Sequence, residues 1–206
     1  MEGLGGVRSM TRRRGRLAGA AVVAGLLLVG CGSGGGDATP TAAAPQGDEV
    51  IEPVADLAGA ERTSFDGVSI LVPEGVDAVE RELSETTRQI TLVEDGAERA
   101  MVVLTVTDED VDDAAVAASA QAARAQVVGS GAFTEESTTT ASWEGFGLAH
   151  VLRGTLDLAG DERDVTMVTT RDPDGTRIVA VSAEAAAGEL DGSTADEVLR
   201  SVRVEG

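Results

Sequence analysis

The sequence predicts an α+β domain, an antiparallel sheet flanked by helices, standing behind an N-terminal address segment and a flexible tether. Three observations carry that expectation. Short β-rich runs closed by turn residues recur through residues 61–206. The apolar period changes to a helical one once in mid-chain, over Asp112 to Val128. A second, shorter helix is signalled near the C-terminus by a capping pattern.

The elements follow in order. Ser69 to Val72 is a short strand closed by the turn Pro73-Glu74-Gly75. Arg88 to Glu94, carrying Ile90, Leu92 and Val93, is a strand, and Asp95-Gly96 turns it into its partner, Met101 to Val106. In the Ala-rich stretch that follows, Val116, Ala120, Ala123 and Val127 fall on one helical face, with Gln121 and Arg124 on another. Acids from Asp108 to Asp113 gather at the helix start, where the dipole favours negative charge, and Gly129 is the expected stop. Glu135-Glu136 and Thr138 to Thr140 mark a solvated strand or loop. Phe146 to Leu156 reads as a strand, and Val165 to Thr170 pairs with Ile178 to Ala183 around Arg171 to Gly175. Thr194 to Glu197 has capping-box spacing and opens a helix through Leu199, and Ser201 to Val204 closes the chain as a strand. Val50 and Ile51 belong either to the tether or to a first strand of the domain.

Composition narrows the function. The 206 residues carry 16 basic and 36 acidic side chains, a formal charge of −20. Five of the arginines and one acid lie in the first 30 residues; the rest has 11 basic against 35 acidic groups, a net −24. Such a surface does not displace counterions from nucleic acid, so no nucleic-acid partner is expected. Lys, Asn and Tyr are absent, as in the proteins of a high-GC bacterial genome. The single Cys excludes an intrachain disulfide framework and a Cys-built zinc site, and no sequence pattern calls for a metal or cofactor.

The N-terminus carries an address. Thr11 to Arg16 is a positive flank, and Leu17 to Gly30 is an apolar stretch too short to span a bilayer comfortably. Its end, Leu28-Val29-Gly30-Cys31, resembles the bacterial lipobox. That resemblance implies cleavage between Gly30 and Cys31 and a diacylglyceryl group on the Cys31 sulfur. Two acyl chains would hold the protein at the outer face of the cytoplasmic membrane as a lipid-anchored extracytoplasmic protein. An uncleaved helix with a buried Cys is the structural alternative. Met10, which precedes Thr11-Arg12-Arg13-Arg14, is an alternative start to Met1. Residues 31–60 then form a Gly-, Ala-, Thr- and Pro-bearing tether, of which about 30 residues of coil would reach roughly 30 Å.

Within residues 61–206, five features together resemble the LpqN/LpqT-type actinobacterial lipoproteins, with their PsbP-like α/β/α sandwich. They are Val72-Pro73-Glu74-Gly75, the helix after an acidic turn, Trp143-Glu144-Gly145 before a strand, the Asp174-Gly175 turn, and Arg200-Ser201-Val202 after a short helix. That family often has an aromatic residue after the first turn, where Val76 stands here. The resemblance implies a noncatalytic binding or adaptor role in the cell envelope, with an envelope protein or an apolar small molecule as partner.

Candidate site residues are few. Trp143, the only Trp, and Phe146 either floor a ligand cleft or fill the core. His150, the only His, alternates with Leu148 and Leu152 and is either a packed strand residue or a third member of that cleft. No Ser-x-Gly elbow or Cys–His pair accompanies it. Asp108 to Asp112 opens like a calcium loop, but Asp113 and Ser119 stand where that loop needs Gly and Glu. The competing reading is an envelope hydrolase or lipid-handling enzyme using carboxylates such as Glu144 or Asp174. It requires one acid in an apolar pocket with a raised pKa.

Overall fold

The computed structural model describes residues 47–94, 96–106 and 110–205, the side chains of 97–106 excepted. Gly30, Cys31, the address segment, most of the tether, and the acids Asp108 and Glu109 lie outside the described residues. Eleven strands and two helices follow in the order β1 (Glu49–Ile51), β2 (Ala60–Phe65), β3 (Val68–Pro73), β4 (Asp77–Glu82), β5 (Thr87–Glu94), β6 (Ala97–Val106), α1 (Asp113–Gly129), β7 (Phe133–Trp143), β8 (Leu148–Asp157), β9 (Glu162–Arg171), β10 (Arg177–Ala186), α2 (Thr194–Arg200) and β11 (Arg203–Val204).

Eight strands form one sheet in the order β1-β7-β8-β9-β10-β6-β5-β4, and β11-β3-β2 form a second, small one. All neighbours in the large sheet pair antiparallel except β1 and β7, which run parallel. The expected α+β architecture is present, and β1 makes its sheet mixed. Helix α1 packs on one face against β7, β8 and β9. The small sheet and α2 pack on the other, giving the sandwich.

Alternation along the strands divides the core. The main cluster lies between the large sheet and the α2 side: Phe65, Val68 and Ile70 meet Ile90, Leu92, Val151, Val179, Val181, Val198 and Leu199. Beneath α1 the packing splits in two. Val111, Val116 and Ile178 form one cluster, and Val127, Phe133, Leu152, Leu156 and Val165 form another.

Several boundaries differ from expectation for local reasons. Strand β1 brings Glu49 to Ile51 into the sheet, so the folded unit takes in residues assigned to the tether by composition. It is held by Arg153, whose two terminal nitrogens donate to the two Glu49 oxygens at 3.0 and 3.1 Å, and by the Thr139 hydroxyl at 2.6 Å. The region of Glu135 and Thr138 is the long strand β7, with a register shift between Glu135 and Ser137. Strand β8 begins at Leu148, because Trp143 to Phe146 forms a turn with Gly145 at φ +82°. Ser193, one residue before the expected Thr194, caps α2 by accepting from the Asp196 amide. Helix α1 runs through Gly129, and the left-handed residue after it is Gly131 at φ +75°.

One turn has a titratable centre. Asp172, fully buried, accepts from the amides of Thr176 (2.8 Å) and Arg177 (2.9 Å), the Thr176 hydroxyl (2.9 Å) and the Arg177 guanidinium (3.0 Å). Burial pushes its pKa up, but these hydrogen bonds more than offset that and hold it below 3.8. A depressed folded-state pKa contributes stability above the unfolded value, and that stability is lost as the pH falls through the folded value. Asp172→Asn is expected to lower unfolding free energy at pH 7 by about 2–3 kcal/mol and to flatten the loss of stability below about pH 4, measured by urea titration across pH.

Candidate functional site

The site begins with the spacing of side chains on α1. Val116 is buried near its start and Val127 near its end. They are eleven positions apart, about 16 Å along a helix. Between them the same face carries Ala120 and Ala123, whose methyl groups do not reach the sheet as a branched side chain does. Each end of the helix is therefore seated on its own apolar cluster, while the middle bridges a gap.

The gap is a cavity of about 110 Å³. Ala117, Ala120 and Ala123 form its roof; His150, Leu152, Met167 and Thr169 form its floor; Gln121, Arg124 and Thr138 stand at its rim. The floor residues are brought together by register: His150 pairs with Thr169, and Leu152 with Met167. Its lining is mainly apolar with polar groups at the margin, the usual character of a small-molecule pocket. Among the described residues the His150 ring makes no side-chain hydrogen bond, which leaves its nitrogens for water or a ligand.

One side of the rim is electrostatically fixed. Arg124 Nε donates to Glu135 at 2.7 Å, and the Thr138 hydroxyl donates to the other Glu135 oxygen at 2.9 Å. The guanidinium first, and the hydroxyl after it, hold the Glu135 carboxyl below its ordinary range. The arginine's terminal nitrogens are not used in that contact.

The sequence candidates are placed apart. Trp143 and Phe146 touch, with ring centroids 4.5 Å apart and planes inclined by 37°, and both are buried in the main core beneath α2. His150 lies on the α1 face. The sheet therefore separates it from the aromatic pair, and the three do not line one cleft. The reason is the period of two: Trp143 shares a face with Ala141 and Ala149, while His150 shares the other with Thr140 and Leu152. Glu144 and Asp174 are exposed on turns, and neither lines the groove under α1. The groove residues Ala120, Ala123, Arg124 and Met167 were missed as a site. Their only sequence signal is the pair of alanines between two valines on one helical face.

No family model and no curated protein matches the chain. Solved structures do resemble it. The solution structure of cyanobacterial PsbP (CyanoP) from Synechocystis sp. PCC 6803 aligns with a TM-score of 0.54 at 16% identity, covering 72% of this chain and 94% of that one. The crystal structure of LpqN, involved in cell envelope biogenesis of Mycobacterium tuberculosis, aligns at 0.40 and 16% identity over 71% and 83% of the two chains. The Saccharomyces cerevisiae Ran-binding protein Mog1p aligns at 0.36 and 13% identity over 69% and 86%. The first establishes a PsbP-like fold for this chain, and the likeness is one of fold.

Placing Trp143 in the core gives an expected outcome. Trp143→Ala should cost about 3–5 kcal/mol in unfolding free energy, read by denaturant titration.

Proposed function

We propose that the chain is a lipid-anchored, extracytoplasmic lipoprotein of the LpqN/LpqT type. Its domain is a noncatalytic binding module for a short apolar group that bears a polar end. The single observation that carries the binding reading is the groove under α1, roofed by alanine and floored by Leu152 and Met167, with His150, Gln121 and Arg124 positioned for a polar terminus. A space of about 110 Å³ fits a short alkyl or aryl moiety; an engineered apolar cavity of roughly 150 Å³ takes benzene or xenon.

The anchor reading rests on Leu28 to Cys31 and the flank before it. Among the described residues no helix is long and apolar enough to cross a membrane. In this reading residues 1–30 are removed, Cys31 carries the lipid, and the chain up to β1 acts as the tether.

The carboxylates support binding over catalysis. A general acid needs a raised pKa. Glu49, Glu135 and Asp172 are all displaced downward and held as anions by hydrogen bonds. Glu144 and Asp174 stand on exposed turns instead of in an apolar pocket.

Two experiments test this reading. Ala120→Leu puts a branched side chain into the gap. It is expected to keep the fold and weaken binding of 1-hexanol at least about tenfold, read by titration calorimetry; unchanged affinity removes the groove as the site. Cys31→Ala is expected to abolish acyl labelling and move the protein from the membrane fraction to the medium. Unchanged membrane attachment refutes the lipid anchor and leaves the groove reading standing.

A further inference from the structure

A second surface lies at the far edge of the large sheet, away from α1. Strand β4 ends the sheet and is paired on one side, to β5. All six of its residues are exposed. An open edge offers a row of backbone donors and acceptors to another extended chain. At its start lies a groove of about 240 Å³, floored by Val76, Leu92, Ala195 and Val198, with Glu74 and Glu94 at its margin.

Register assigns the charges to faces. Ala78 pairs with Leu92, Glu80 with Ile90 and Glu82 with Arg88, so Ala78, Glu80 and Glu82 share the face on which the groove opens. The one basic residue of β4, Arg81, pairs with Gln89 and lies on the opposite face. Arg88 is engaged by Asp66 at 3.2 Å and by Glu82 at 3.8 Å. The groove side of the edge thus presents Glu74 and Glu80 next to an apolar floor, with Glu82 paired to Arg88.

We propose that β4 and this groove are a docking site for a basic, extended segment of a partner protein. The segment adds as a further strand along β4. An alternate Lys or Arg side chain lays its aliphatic stem over Val76 and brings its cationic head to Glu74, and the next such side chain on that face meets Glu80. Strand addition supplies affinity through backbone hydrogen bonds, and the pocket for alternate side chains supplies selectivity. A second copy of this chain is the wrong occupant. Antiparallel self-pairing centred on β4 sets Asp77 opposite Glu82 and brings together two chains of net charge −20.

The test uses the full chain and three labelled probes: a short peptide alternating lysine and valine, its glutamate–valine counterpart, and the lysine–valine peptide with a central proline. Fluorescence polarisation reads binding, and hydrogen exchange reads amide protection. The expected result is binding of the lysine–valine peptide alone, with slowed exchange confined to residues 77–82. That binding should weaken about tenfold in the double variant Glu74→Gln, Glu80→Gln, whose two sites are exposed. Equal binding of the proline-bearing peptide overturns strand addition. Protection away from β4, unchanged affinity in the double variant, or no binding of the lysine–valine peptide overturns the site.

Discussion

The way α1 meets the sheet decides where this domain leaves open space under its helix. A helix on a sheet is normally sealed along its length by branched side chains that fill the space beneath it. Here Val116 and Val127 do so only at the ends, each within its own cluster, and the alanines between them stop short. Two small pins hold the helix at a height that its middle cannot fill. The groove is the geometric remainder of that mismatch. It needs no strained backbone and no buried charge.

The alternation of strand residues then decides which groups can act together. One face of the large sheet is a continuous apolar core under α2 and the small sheet, and it takes Trp143, Phe146 and most of the large aliphatic residues. The other face is thinner and more polar, with Thr138, His150 and Thr169 beside Leu152 and Met167. The closed apolar core and the open groove thereby lie on opposite sides of one sheet. A loss in the aromatic core is felt as unfolding, whereas a change in the alanine gap is felt at the groove. Charge follows a similar economy: Glu49, Glu135 and Asp172 fasten a strand edge, a rim and a turn, each held by donors that favour its anion.

Much of this was legible in the chain. Ile90 and Leu92, the Asp174-Gly175 turn and the face Val116, Ala120, Ala123, Val127 each encode local geometry, and local geometry is what periodicity and turn chemistry report. Strand β7 was half hidden because its Thr, Ser and Glu residues read as solvent-facing. It lies between a three-residue partner and β8, so little apolar sequence is needed on its outward positions. The parallel pairing of β1 is non-local and leaves no mark in three residues. Trp143 and His150 looked like neighbours because they are seven positions apart; the turn at Gly145 and the change of strand put them on opposite faces. The groove itself was not visible, since an alanine is an ordinary helix residue until the distance to the facing strand is known.

The space between Ala120 and Met167 is open and mainly apolar. Crystals of the protein pressurised with xenon test it directly, since the anomalous signal locates the gas without any assumption about a natural ligand. A xenon atom is expected between Ala120, Leu152 and Met167, with α1 unmoved. Xenon absent from that position, with the Met167 and Leu152 side chains packed against the alanine methyls, would contradict it.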